Sequence, residues 1–325
     1  MKDFRAVRAL VAALAIVGSV VGAPANAGDL KISFAAFAGP DAPFWKIMYS
    51  GAAQAAKDLD VQLDWAYPDK FTVGNYNQKL QQIIASKPDG IVIMDIEAGQ
   101  VAIAKQAKAS GIVVVANPSP PKGQLEIRPA DDPYVNRIGA AEYAGGQALG
   151  KLLLSKGLKS AALCVIQENG NDSLVQRCNG VKDALKAVNV TMDVQFTPNN
   201  DGSSSAAKTL VSNYLRAHPE TGAVVTLGGL LNVGSTQAIN ELKAQDKVMA
   251  AGFDLDPDTL AAIKQGRLVA VVDQQPWWRG YMSVLALVHY KRYGLSQANY
   301  FLTGPSLVTK DNVDQILALS AKNIR

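Results

Sequence analysis

An alternation of short apolar runs with amphipathic stretches of helix length, sustained from Leu30 almost to Tyr293, limits the fold more than any other feature. In the first part the runs are Leu30–Phe37, Val61–Ala66, Gly90–Asp95 and Ile112–Ala116, separated by helical stretches at Phe44–Leu59, Gly74–Ser86 and Gly99–Ser110. Pro88-Asp89-Gly90 and Ser110-Gly111 supply the breaks between them. This rhythm implies a parallel sheet wrapped by helices on both faces through right-handed crossovers. Strands buried on both sides should read as unbroken apolar runs, and GIVIM and GIVVVA do.

Around Asn117–Pro133 the texture turns proline-rich, which marks a domain boundary. The rhythm then restarts with helix Tyr134–Lys156, strand Ser160–Ile166, helix Ser173–Val188 and strand Val190–Phe196. It continues through helix Ser204–Ala217, strand Ala223–Leu227, helix Gly234–Ala244, strand Lys247–Phe253 and helix Pro257–Gln265. Strand Val269–Asp273 and a long helix Pro276–Tyr293 follow. A chain of 325 residues exceeds one comfortable hydrophobic core. The expected fold class is therefore α/β, with two doubly wound parallel-sheet lobes and a cleft between them. Residues 28–131 plus about 276–305 are assigned to the first lobe, and 132–275 plus about 306–325 to the second.

Residues 1–27 are expected to lie outside the fold. Lys2, Arg5 and Arg8 form a basic segment, Ala9 to Val21 an apolar one, and Ala25-Asn26-Ala27 fits a small-x-small cleavage site. The expectation is an exported, soluble, periplasmic chain beginning near Gly28. Cleavage would lower the formal charge from +4 to +2, and no Lys/Arg stripe suggests nucleic acid. A hydrophobic share of 48% with 18% charged residues excludes a disordered chain and a coiled coil. Two histidines, no CxxC and no HExxH leave metal binding without support, and no cofactor is expected. Cys164 and Cys178 are either bridged or two buried thiols, since export permits a disulfide but sequence does not supply its geometry.

The turn after the first strand reads Asp41-Ala42-Pro43-Phe44-Trp45. Strand-to-helix turns of this kind carry ligands in open α/β sheets. Two aromatics and a carboxylate suit a ring with polar edges, although Phe44 and Trp45 could equally anchor the helix. Asp41 would cap that helix or accept from a hydroxyl. Phe37, ending the strand, is a candidate for the cleft wall.

Beyond that turn, Lys87-Pro88-Asp89-Gly90-Ile91, Arg177-Cys178-Asn179-Gly180, Ala217-His218-Pro219, Gly252-Phe253-Asp254 and Asp273-Gln274-Gln275-Pro276 follow in order. Together with Ala42-Pro43-Phe44-Trp45, this series resembles the ribose/galactose-type sugar-binding branch of the periplasmic binding proteins of ABC transporters. The resemblance implies two lobes joined by a three-strand hinge, closing on a monosaccharide or polyol and delivering it to a membrane permease. A chemoreceptor is a further partner in such systems. It also implies that Phe44 and Trp45 stack on the ligand while Asp254, Gln274 and Arg177, or its neighbour Gln176, bind hydroxyls. Asn117-Pro118 stands where the family often has Asp-Arg, and Gly228-Gly229 where it often has Asn-Asp. Asn117 takes the first of those places, and Asn232 or Asn171 would compensate for the two departures.

An exported enzyme is the main competing class. The chain carries no GxSxG, no GxxxxGK[ST] and no GxGxxG, so no catalytic residue is assigned. An effector-binding core of the lac-repressor type is disfavoured by the export signal. Within binding proteins, nucleoside, autoinducer and amino-acid ligands remain alternatives to a sugar.

Overall fold

The computed structural model describes residues 30–117, 131–296 and 300–325. The expected export segment, most of the proline-rich stretch and Pro118 lie outside the described residues.

The first lobe starts with β1 (Lys31–Ala35), α1 (Pro43–Asp58), β2 (Gln62–Ala66), α2 (Val73–Ala85), β3 (Gly90–Ile93), α3 (Ala98–Ala109), β4 (Val113–Ala116) and β5 (Tyr134–Gly139). The second runs through α4 (Glu142–Ser155), β6 (Ala161–Ile166), α5 (Asp172–Lys186), β7 (Met192–Phe196), α6 (Ser204–Ala217), β8 (Thr221–Thr226), α7 (Gly229–Glu241), β9 (Met249–Phe253), α8 (Pro257–Lys264) and β10 (Ala270–Asp273). The chain then returns to the first lobe for α9 (Pro276–Tyr293) and β11 (Tyr300–Leu302), and ends in the second with β12 (Ser306–Thr309) and α10 (Val313–Ser320).

Each lobe holds a six-stranded sheet, ordered β11-β5-β4-β3-β1-β2 in the first and β12-β10-β9-β8-β6-β7 in the second. Every pairing is parallel except β12 on β10. β3 (GIVI) and β8 are buried along their whole length, because helices cover both faces. The chain passes between lobes three times, at Gly139–Glu142, Asp273–Pro276 and Leu302–Ser306.

One element departs from the sequence reading. Tyr134–Lys156 is not a single helix: Tyr134–Gly139 is a strand of the first sheet, and the helix begins at Glu142. The first lobe thus extends past residue 131 to the crossover after Gly139. Apolar side chains at Tyr134, Ile138 and Ala140 are compatible with either period, and pairing with β4 decides between them.

Helices α4 and α5 approach unusually closely. A Cβ on Gly146 would lie 2.1 Å from the carbonyl oxygen of Arg177, and one on Gly180 would lie 2.1 Å from that of Tyr143. Glycine at both positions lets the backbones touch, which brings Arg177 against Glu142. Cys164 on β6 and Cys178 on α5 are joined by a disulfide, Cα–Cα 6.0 Å, tying that helix to its sheet. Of the two states left open by sequence, the bridge is the one present.

Candidate functional site

The carboxyl ends of the parallel strands in the two lobes point toward one another and enclose a cavity of about 200 Å³. Its wall follows directly from strand order: Phe37 lies just beyond β1, Met94 and Ile96 beyond β3, and Gln167 and Glu168 beyond β6. Leu227 and Gly228 follow β8, Asp254 follows β9, and Gln274 follows β10. Such strand ends are the usual ligand position in open α/β sheets. A backbone bond from the Asp172 N–H to the Ile96 carbonyl, 3.4 Å, joins the two lobes at the cavity's edge.

The first lobe supplies an aromatic shelf. Trp45 meets Phe44 edge-on at 5.2 Å between ring centroids, and Phe37 at 5.3 Å. Phe37 is held in turn by Phe71 and by Tyr76, whose hydroxyl donates to the Ala35 carbonyl and accepts from the Met94 N–H. Phe44 and Trp45 remain half-buried, and both line the cavity.

The second lobe supplies charge. Arg177 donates from Nε to Glu142 Oε2 (2.8 Å), from Nη1 to the Leu227 carbonyl (3.0 Å) and from Nη2 to Gln274 Oε1 (2.7 Å). Its guanidinium carbon stands 4.7 Å from the centroid of the Phe253 ring. Gln274 donates onward to Asp254 Oδ1 at 2.6 Å, so these residues form one continuous network. Asp254 occupies the left-handed backbone region at φ 70°, which an Asp tolerates better than most residues. Burial pushes its carboxyl up to about 7; Arg177 opposes that shift, and Glu142, Glu168 and Asp256 add to it. Glu168 is likewise raised by burial, partly offset by its bond from Asn171 and the charge of Arg177. Burial pulls Arg279 down to about 10 despite the attraction of Glu142. For Arg177 burial acts in the same direction, but the pull of Glu142 and Asp254 outweighs it and leaves the group above its ordinary value.

Of the residues singled out from sequence, Phe37, Phe44, Trp45, Arg177, Asp254 and Gln274 share this cavity wall. Asp41 does not. It is exposed, its carboxylate folds over Gly39 toward Tyr67, and no side chain caps α1. Asn117 is also absent from the wall. Fully buried, it donates to Ser283 Oγ at 2.6 Å and accepts from Arg279 Nε, so it holds a cleft arginine from behind. Asn171 lines the cavity and caps α5, whereas Asn232 joins Thr226 to the Phe253 carbonyl beneath the strand ends. Trp277 and Trp278 stack with Tyr281 along α9 away from the cavity.

Among the wall residues that the sequence does not single out are Glu142, Gln167, Glu168 and Arg279. Gln167 and Glu168 follow the end of β6 directly, a place where open α/β sheets carry ligands. Glu142 was hidden inside a misread helix. Arg279 sits mid-turn in a long helix, and nothing in its spacing sets it apart.

Residues 32–294 match the periplasmic binding protein domain family. The chain belongs to that family. It has the two-lobed type I fold of these proteins. The chain is 23% identical over 308 residues to the xylose/arabinose-binding protein XylF of Sulfolobus acidocaldarius, covering 86% of this chain and 75% of that one. It is 25% identical over 305 residues to a putative rhizopine-binding protein of Rhizobium meliloti, covering 90% and 94% respectively. Among solved structures, a carbohydrate transporter of Acidothermus cellulolyticus 11B in complex with myo-inositol superposes with a TM-score of 0.79 at 28% identity. That match covers 91% of this chain and 99% of the other.

Proposed function

We propose that this protein is the extracytoplasmic substrate-binding component of an ABC importer, capturing one monosaccharide or related polyol between its lobes and presenting it to a membrane permease. The observation that carries this reading is the cavity itself. An aromatic shelf of Phe44 and Trp45 faces a network of Arg177, Gln274 and Asp254 across a space that suits one small ring. Aromatic faces cover C–H surface, and planar polar groups pair with adjacent hydroxyls inside a poorly screened site. Relatives that bind xylose and arabinose, and a neighbour holding myo-inositol, support the same ligand class. Closure of the lobes is the form a permease would read.

No turnover is expected, and an aryl glycoside should remain intact in the presence of the protein. The decisive test is a thermal-shift screen of the chain from Gly28 against pentoses, hexoses, linear polyols and cyclitols. A ligand at 100 times its dissociation constant stabilises the native state by about 2.7 kcal/mol. Absence of a shift with every member would reject the reading.

A further inference from the structure

The hydrogen-bonding groups of the cavity are unequally committed. Arg177 directs Nε, Nη1 and Nη2 at Glu142, Leu227 and Gln274, leaving its donors almost entirely engaged by the protein. Arg279 gives Nε and Nη2 to Asn117, and only Nη1, 3.7 Å from Glu142, is loosely held. Gln274 uses its carbonyl on Arg177 and its amide on Asp254.

Acceptors are left over. Glu168 accepts one bond, through Oε2 from Asn171 at 2.7 Å, and its Oε1 accepts none among the described residues. Asp254 accepts through Oδ1, and its Oδ2 accepts none among the described residues. Gln167 Oε1 is buried with no partner, while its amide reaches the Leu227 carbonyl at 3.4 Å. A Cβ on Gly228 would lie 3.9 Å from Asp254 Oδ2 and 3.2 Å from Gln167 Nε2, so the unengaged Asp254 oxygen and the Gln167 side chain border the same glycine, the latter through its amide nitrogen. The charge balance points the same way. Glu142, Glu168 and Asp254 outnumber Arg177 and Arg279 in the wall.

A hydroxyl brings one donor and needs acceptance itself, whereas an ammonium brings three donors, a positive charge and no acceptor. Resting on the sugar or polyol reading above, we infer that the ligand carries a protonated amine, as an amino sugar or aminocyclitol, received by Glu168, Asp254 and Gln167. Arg279, whose Nη1 is loosely held, and Asn171 line the same cavity and would serve its hydroxyls. Burial raises the Asp254 and Glu168 carboxyls against the pull of Arg177, and an ammonium would add to that pull.

Isothermal titration at pH 7 with matched sets tests this: D-glucosamine and D-galactosamine, and an amino-inositol, each against its hydroxyl parent and its N-acetyl derivative. The expected result is that at least one free amine binds ten times or more tightly than both counterparts, a difference of about 1.4 kcal/mol. Glu168→Gln should reduce that preference by roughly tenfold, since it removes the charge and keeps the shape. Circular dichroism and Tm of the variant establish that it is folded. If a neutral parent binds as tightly as its amine in every set, and Trp45→Ala weakens that binding, the amine inference is overturned and the sugar-binding reading stands. If no member of any set binds while a pentose or linear polyol shifts Tm, the amine inference is overturned and the sugar-binding reading stands; if nothing binds in either experiment, both are overturned.

Discussion

Arg177 and Gln274 lie 97 positions apart and meet at 2.7 Å, the guanidinium Nη2 donating to the amide oxygen. The contact joins helix α5 to the second crossover, so the ligand-facing groups are held by the same network that spans the hinge side of the second lobe. Arg177→Met leaves Glu142 with only the longer contact to Arg279. Breaking a buried ion pair by removing one partner costs about 3–5 kcal/mol. Urea denaturation should show that loss, whereas Gln274→Ala should cost about 1–3 kcal/mol by leaving buried groups unpaired.

Trp45 meets Phe37, Phe44 and Trp65 edge-on and also lines the cavity. Trp45→Ala should therefore weaken ligand binding by tenfold or more, about 1.4 kcal/mol, while the apo protein stays folded. Titration calorimetry and apo Tm measure the two effects separately. An unchanged dissociation constant with a lowered Tm would return Trp45 to a packing role alone.

The pH dependence of the apo protein follows from Asp254, whose carboxyl is raised by burial from 3.8 to about 7. Between those values the folded state binds more protons than the unfolded one, so stability falls as pH rises and levels off above about pH 7. Asp95, raised by burial to about 6, acts with the same sign over a narrower window. Tm measured from pH 4 to pH 8 should decline, and Asp254→Asn should flatten most of the upper part of that decline. A slope of the opposite sign in the wild type would contradict the assignment.

The bridge between Cys164 and Cys178 closes a short loop, with a sequence separation of 14. Loops of that size gain about 3 kcal/mol in the chain-entropy picture. Replacing both cysteines by alanine should lower the unfolding free energy by that order, read by chemical denaturation under conditions where the variant is monomeric.

Gly146 lets α4 and α5 touch, since a Cβ there would meet the Arg177 carbonyl at 2.1 Å. Gly146→Ala should cost about 1–3 kcal/mol by overpacking. It should also weaken ligand binding, because the helix that must shift carries Arg177. Gly266→Ala offers a contrast: its Cβ would meet nothing within 4 Å, and only the positive φ of 75° opposes it. That variant should lower Tm without changing affinity.

Local pattern made much of this protein readable in advance. Apolar runs such as GIVI and AVVD are buried because helices flank both faces, and their period carries that information within a few residues. Asp254 and Gln274, which the family resemblance implies as ligand-binding, both lie at strand ends that line the cleft. Tyr134–Gly139 shows where this logic stops: its side chains suit helix or strand, and only the neighbouring β4 selects the strand.

Partnership was decided by the tertiary structure. Asn117 and Asp41 are polar residues near strand ends, yet one props Arg279 from behind and the other turns out to solvent. Glu142 and Arg177 become a pair because two glycines allow helix backbones to touch, and Arg279 reaches the cavity because α9 crosses back from the other lobe. Sequence periodicity is a short-range signal, set by backbone geometry over a few residues. Which donors and acceptors remain unengaged depends on contacts between residues far apart in the chain, and these exist only once both lobes are folded and the chain has crossed between them.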